Sequence, residues 1–462
     1  MINKTFLLSS FITCALILAS VSPLVTGCEE SGGISSDLKR QIDNVVECEM
    51  LEKQVPGISI SVIRNGKALY RQGYGKADIG EDIDVTPETI FALGSVTKIF
   101  TAIGVLNLHD RGLIDIDDKI GVYLPGLPNE EWKERTVHDL LSMSSGIAEL
   151  AFCEGGAKDG EVCEDHPQGS PFTYNLCGDD SRCVSANRVP YPEYLERAAE
   201  IPLQFEGGDQ YFYSNTNFMI LGVLIEAVTG ESYEDFINGL ILDPLEMTVT
   251  MPNTVPPPFI EGLATGYSHV PADEGGFECV TFPDTPDNCS SAPPSGVRCR
   301  AIPTDELRLP EESFSAGWLV SNQIDLGRLE SALHRLSAQL LAPETYELMW
   351  TNRELNDGDF ERFGLGWDVC SELQDEFCPK PVDPLAGGTL DGSVMPAPAG
   401  QEGKVVSKDG GVPGYSSEIV RYLDDGLTII VLSNSLDVEG PLSFEPANLA
   451  AEIALLVRES GE

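Results

Sequence analysis

The sequence predicts an α+β domain: an antiparallel sheet built from both chain ends, flanked by helices, with a mainly helical middle region. Two hairpin patterns predict the sheet. Near the start, Ile58, Ile60 and Val62 alternate with Ser59 and Ser61, the period of a strand with one face inward. Asn65-Gly66 follows, the pair preferred in a two-residue hairpin turn. Near the end, two apolar runs at 418–423 and 427–432 flank Asp424-Asp425-Gly426, a second turn. The intervening chain reads mostly as helices, so strands from the two ends are expected to share one sheet.

Taken in order, Lys4 is the one charge before Glu29, and residues 6–25 are largely apolar, the layout of an export signal. That run ends Val25-Thr26-Gly27-Cys28, which resembles a bacterial lipobox. Residues 1–27 are therefore expected to be removed and Cys28 to carry lipid, anchoring an exported protein at a periplasmic or cell-surface membrane. Residues 28–36 are small and polar, as a tether should be, and the catalytic domain is expected over 37–462. Ile42, Val45, Val46 and Met50 mark a helix face in 37–53, and 68–75 reads as the strand returning from the first turn. A helix is expected over 91–112, with Ile99, Ile103 and Leu106 on one face and Gly112 as its stop. Residues 218–228 are apolar nearly all round and predict a buried helix closed by Gly230. Residues 446–458 close the chain as a helix with Leu449, Ile453, Leu456 and Val457 inward. Three segments, 151–190, 268–312 and 370–403, fit no regular structure and read as surface insertions.

Charge removes whole classes of partner. Lys plus Arg total 29 against 74 Asp plus Glu, a formal net charge of −45. Such a surface repels phosphate backbones and anionic headgroups, so no nucleic acid is expected, and no membrane contact beyond the lipid anchor. Twelve cysteines agree with export. Setting aside Cys14 and Cys28, the insertions hold all but Cys48, which suggests local disulfides: Cys370 with Cys378, and pairs within Cys153, Cys163, Cys177 and Cys183. The odd count in Cys279, Cys289 and Cys299 leaves one sulfur for Cys48. No C-x-x-C or H-E-x-x-H spacing occurs, so neither a metal nor a cofactor is expected.

A serine that attacks a carbonyl must lose a proton and have its oxyanion stabilised. The sequence lacks the G-x-S-x-G elbow of histidine-assisted hydrolases. It offers Ser95-Val96-Thr97-Lys98 instead, in which i and i+3 share a helix face, so the Lys98 amine reaches the Ser95 hydroxyl. S-x-x-K alone is weak, since Ser36-Asp37-Leu38-Lys39 also matches. Tyr213-Ser214-Asn215 adds a phenol that a neighbouring ammonium can turn into a base. Lys408-Asp409-Gly410-Gly411 adds a second lysine followed by Pro413, Gly414 and Ser417; K-x-G recurs at Lys119 and Lys158 without that sequel. His138 and the run Asp115 to Asp118 read as structural.

With these three motifs in order, the chain resembles the serine β-lactamase-like hydrolases, which include class C β-lactamases, D-alanyl-D-alanine carboxypeptidases, D-aminopeptidases and esterases. The resemblance runs from about residue 56 to 434. It extends to Thr136-Val137-His138-Asp139-Leu140-Leu141 through Ser145-Gly146, Pro244-Leu245-Glu246-Met247, Ala316-Gly317-Trp318-Leu319-Val320-Ser321 and Phe363-Gly364-Leu365-Gly366-Trp367. It implies the β-lactamase and penicillin-binding-protein fold. It also implies that Ser95 is acylated, that Lys98 and Tyr213 share the proton traffic, and that Asn215 holds a substrate amide. Lys408, Asp409, Gly410 and Gly411 would line the opposite wall, with the Ser95 and Gly411 N–H groups as oxyanion hole. Asp409 departs from the family's usual Thr, which bears on the substrate class. Two functions follow: an esterase- or peptidase-type acyl hydrolase of small substrates, or a β-lactamase, cell-wall carboxypeptidase or non-catalytic sensor on the same fold. The intact Ser95, Lys98, Tyr213 and Asn215 favour an active acyl hydrolase over the sensor.

Overall fold

The period-two stretch becomes strand β1, Gly57–Arg64, which turns at Asn65 (φ 52°) and Gly66 (φ 69°) into β2, Lys67–Asp78. Both turn residues occupy the left-handed region, which Asn and Gly adopt at low cost and which matches the twist of the flanking strands. The computed structural model describes residues 33–151, 173–175, 191–252, 260–280, 289, 294–302, 314–317, 319–361, 363–370, 404–436, 442 and 444–462. The chain divides into Met1–Gly33 and one compact unit, Ile34–Glu462. Cys28 and most of segments 151–190 and 370–403 lie outside the described residues.

Within that unit, seven antiparallel strands form one sheet. After β2 come β3 (Ile83–Asp84), β4 (Asp368–Cys370), β5 (Val405–Val412), β6 (Tyr415–Tyr422) and β7 (Leu427–Ser433), in the spatial order β4-β5-β6-β7-β1-β2-β3. The two chain ends meet where β1 pairs with β7, from Ile58 opposite Ser433 to Arg64 opposite Leu427. Every residue of β6 and β7 is buried, because helices cover both faces.

On one face lie the terminal helices α1, Ser36–Lys53, and the C-terminal helix Pro446–Ser460. Leu38, Ile42, Val46 and Met50 of the first and Leu449, Ile453 and Val457 of the second pack on Ile58, Ile60, Val62, Ile429 and Val431. Val45 and Leu456, expected inward, are only partly buried, one position off the packed stripe. The opposite face carries the larger core, built around helices α2, Thr97–Asp110, and α3, Asn215–Thr229. The C-terminal helix is α4.

Two expectations need correction. Residues 91–112 are not one helix. Phe91–Ala92 is a strand paired with Leu319–Ser321, Gly94–Val96 is a 3₁₀ turn, and α2 starts at Thr97. Gly94 has φ 51°, which a right-handed helix cannot accommodate, so the helix begins after it. α2 is also buried from Thr97 through Leu108 rather than along one face. Segment 268–312, expected to be irregular, contains a strand pair, Tyr267–Pro271 with Val297–Ala301. The Cys279–Cys299 disulfide closes on that pair, and Cys48–Cys289 ties the segment to α1. Cys370 is also disulfide-bonded; Cys378 and Cys153 to Cys183 lie outside the described residues. No helix among the described residues is long and apolar enough to cross a membrane.

Carboxylates crowd the outer helical layer. Burial, with Glu49 and Glu52 nearby, pushes Glu452 of α4 from its ordinary 4.5 up to about 7. Between those values the unfolded chain has released a proton that the folded chain still holds. Stability therefore falls as pH rises through that window, and the deficit is complete above about 7. Glu452→Gln should stabilise the protein at about pH 8 by on the order of 1–3 kcal/mol and change little near about pH 4. Chemical denaturation at the two pH values checks this.

Candidate active site

Ser95 stands in the turn between the Phe91–Ala92 strand and α2, the one residue of 91–100 that is not fully buried. The turn is held from several sides. Leu93 N–H donates to the Leu319 carbonyl at 2.9 Å, Leu319 N–H to Thr97 Oγ1 at 3.0 Å, and the Ser417 hydroxyl to the Leu93 carbonyl at 2.7 Å. Strand β5 crosses close behind it. A Cβ on Gly410 would lie 2.0 Å from the Leu93 carbonyl oxygen and 3.0 Å from the Ser95 nitrogen, and one on Gly94 would lie 2.6 Å from the Gly411 nitrogen. Only paired glycines permit this approach. It brings the backbone nitrogens of Ser95 and Gly411 to one side of the Ser95 hydroxyl's turn.

Lys98, one turn on in α2, is fully buried. Its Nζ donates to Ser95 Oγ at 3.0 Å, to Asn215 Oδ1 at 2.6 Å and to the Ala316 carbonyl at 2.7 Å, three acceptors for three N–H groups. The Tyr213 hydroxyl reaches Ser95 Oγ at 2.6 Å from the segment leading into α3, whose first residue is Asn215. Lys98 Nζ lies 4.9 Å and Lys408 Nζ 5.5 Å from the centre of the Tyr213 ring. A phenol between two ammonium groups is well set to gain negative charge. The structure thus brings Ser95, Lys98, Tyr213 and Asn215 together around one hydroxyl. Lys39 of the competing S-x-x-K stretch instead bonds Asp43 and Tyr70 on α1's surface.

Lys408 forms the far wall from β5. The Lys408-Asp409-Gly410-Gly411 stretch is itself strand, because its backbone pairs with 416–419 of β6. Lys408 Nζ, almost wholly buried, lies 2.6 Å from Asp409 and 3.4 Å from Asp368 of β4. Burial pulls its pKa down, but the charges of Asp409, Asp368 and Tyr213 outweigh this and hold it well above the ordinary lysine value. Asp409, with 71% of its side chain open to solvent, is held below the usual carboxylate range by the Lys408 charge. Opposite it across the ladder, Glu418 is buried; desolvation, then the Asp409 charge, push it well above the carboxylate range.

Three of these participants escaped the sequence reading. Asp368 directly follows the Phe363-Gly364-Leu365-Gly366-Trp367 match, a position that could have flagged it. Glu418 sits inside an apolar run, and the Ala316 acceptor is a backbone carbonyl with no side-chain signal. His138, expected to be structural, contacts Arg353 at 3.1 Å and is pulled down by burial. His269, Cys279 and Cys299 place ligand atoms within 4.8 Å of one another, but the two sulfurs are bonded to each other.

The sheet built from both chain ends, the helical layer behind it and this grouping of side chains define the β-lactamase and penicillin-binding-protein fold. The Beta-lactamase family model matches residues 42–452, and the chain belongs to the serine β-lactamase-like hydrolase family. Among curated relatives, penicillin-binding protein 4* of Bacillus subtilis is 25% identical over 395 residues, 85% of this chain and 70% of that one. Protein flp of Staphylococcus aureus is 27% identical over 220 residues, 47% of this chain and 39% of its own length. Among solved structures, an octameric penicillin-binding protein homologue from Pyrococcus abyssi superposes with a TM-score of 0.63 at 24% identity, over 91% of this chain and 77% of that chain. The D-amino acid amidase of Ochrobactrum anthropi SV3 does so with a TM-score of 0.63 at 20% identity, over 92% of this chain and all of its own. At these identities the two structures speak for the fold.

The glycine contact is directly testable. Gly410→Ala should force β5 away from the Ser95 turn, costing about 1–3 kcal/mol. A thermal melt reads the cost; an unchanged midpoint would mean that the strand yields without strain.

Proposed function

We propose that this protein is a serine acyl hydrolase that cleaves ester or amide bonds of small substrates through an acyl-enzyme on Ser95. One observation carries the reading: Ser95 Oγ lies within hydrogen-bond distance of both Lys98 Nζ (3.0 Å) and Tyr213 Oη (2.6 Å). In this mechanism one group of the Tyr213–Lys98 pair has first given up a proton, and it takes the Ser95 proton as Oγ attacks the carbonyl carbon. The N–H groups of Ser95 and Gly411 take up the developing oxyanion, each donor worth about a hundredfold to a thousandfold in rate. The same pair returns the proton to the leaving group, and a water molecule, deprotonated in turn, releases the acyl chain. Asn215, oriented by its bond to Lys98, contributes its side-chain amide to substrate binding.

A fluorophosphonate probe should form its adduct on Ser95, located by peptide mass spectrometry. Ser95→Ala should abolish the adduct and lower ester turnover by at least about a thousandfold. Labelling of a different serine would overturn the assignment.

Export is part of the proposal. The Cys48–Cys289 and Cys279–Cys299 disulfides support it, since such bonds persist in oxidising compartments. Lipid on Cys28 is the matching proposal for the N-terminal segment. Cys28→Ser should then shift the protein from the membrane fraction to the soluble one in a bacterial host, read by immunoblot.

A further inference from the structure

We infer that Asp409, backed by Asp368, makes the Lys408 wall of the site a receptor for cations, so that the hydrolase favours substrates whose leaving group is positively charged over those bearing a carboxylate there. The inference rests on the reading of Ser95 as nucleophile.

A lysine on this wall would ordinarily offer its ammonium to an anionic substrate group. Here that ammonium is already engaged. Lys408 Nζ is almost wholly buried, 2.6 Å from Asp409 and 3.4 Å from Asp368, so two carboxylates already occupy the side of it that an anion would approach. A substrate carboxylate would have to displace Asp409 from Lys408 and then lie against the carboxylate it displaced. An ionised carboxylate accepts hydrogen bonds and donates none, so Asp409 offers an incoming anion no compensating contact. A cation meets the opposite situation.

Access and position both suit Asp409 to this role. Solvent reaches 71% of its side chain, against 1% for Lys408, so an incoming group meets the carboxylate first. Asp409 adjoins Gly410, whose Cβ position is 3.0 Å from the Ser95 nitrogen, so its charge stands one residue from the nucleophile's turn. Glu418 across the ladder, whose pKa is pushed up by burial and then by the Asp409 charge, is itself buried and so lies out of contact with an incoming group. At longer range the chain's −45 formal charge gives the surrounding field the same sign, which steers cations inward and anions away.

The test uses three esters with one shared acyl group. Their leaving alcohols are choline, its uncharged isostere 3,3-dimethylbutanol, and glycolate. For the full-length protein, kcat/KM should rank choline above dimethylbutyl above glycolate. The choline-to-glycolate ratio should be about tenfold to a hundredfold, the range of a single hydrogen-bonded or paired charge, and should shrink with added salt. Asp409→Asn, nearly isosteric and exposed, should cut that ratio at least several-fold, and Asp409→Glu should restore it. A merely structural Asp409 would change all three esters alike and leave the ratio intact. A wild-type preference for glycolate, or a ratio unmoved in Asp409→Asn, overturns the inference. Fluorophosphonate labelling of Ser95 separates the two failures: labelled Ser95 with no charge preference sinks this inference alone, and an unlabelled Ser95 sinks the reading beneath it.

Discussion

Where strand β5 crosses the turn that carries Ser95, Gly94 and Gly410 face each other with no room for a side-chain carbon on either. The rest of the site is built outward from that contact. It sets the backbone of Gly411 close to the Ser95 turn, and Lys408, two residues before Gly410 in β5, has its Nζ 5.5 Å from the centre of the Tyr213 ring. It also explains why the segment before α2 is strand and turn rather than more helix. Gly94 takes a left-handed conformation to let β5 approach, and the helix begins only after it.

Two buried lysines then divide the site. Lys98 is met by neutral acceptors: a hydroxyl, an amide oxygen and a backbone carbonyl. Lys408 is met by carboxylates, one of them open to solvent. Burying an ammonium is costly unless it is paired or hydrogen-bonded, and the two lysines meet that requirement in opposite ways. The first arrangement places an amine beside the Ser95 hydroxyl. The second places carboxylates on the opposite wall, and the centre of the Tyr213 ring lies 4.9 Å from one lysine nitrogen and 5.5 Å from the other.

The sheet supports this division because its two faces are both closed. α1 and α4 cover one face, and α2 and α3 the other, so β6 and β7 are buried along their whole length and hold β5 in register. The disulfide from Cys48 to Cys289 fastens α1 to the connection between the Tyr267–Pro271 and Val297–Ala301 strands. That pair abuts the end of the sheet through Tyr267, whose N–H donates to the Asn434 carbonyl.

Much of this was legible in residue order alone. Period-two alternation and Asn65-Gly66 specify a hairpin through local sterics, and a continuous apolar run such as 218–228 specifies a buried helix, because both depend on neighbours in sequence. The three motifs singled out Ser95, Lys98, Tyr213 and Lys408 by residue type and spacing, and the fold gathers these four side chains in one place. The sulfur left over from Cys279, Cys289 and Cys299 pointed to Cys48, and the bond is Cys48–Cys289. The extent of the helix at 91–112 was not legible, since Phe91 and Ala92 pair with a strand more than 200 residues away. Nor was the strand at 405–412, whose Lys-Asp-Gly-Gly core carries no apolar alternation and is held by pairing with β6. Asp368 and the Ala316 carbonyl were equally hidden, one on a three-residue strand and one on the backbone. The sequence by itself determined the fold class and the chemical parts, because these follow from local pattern. Only the tertiary structure decided that Lys408 meets two carboxylates while Lys98 meets a hydroxyl, an amide oxygen and a carbonyl, because Asp368, Asn215 and Ala316 come from distant parts of the chain.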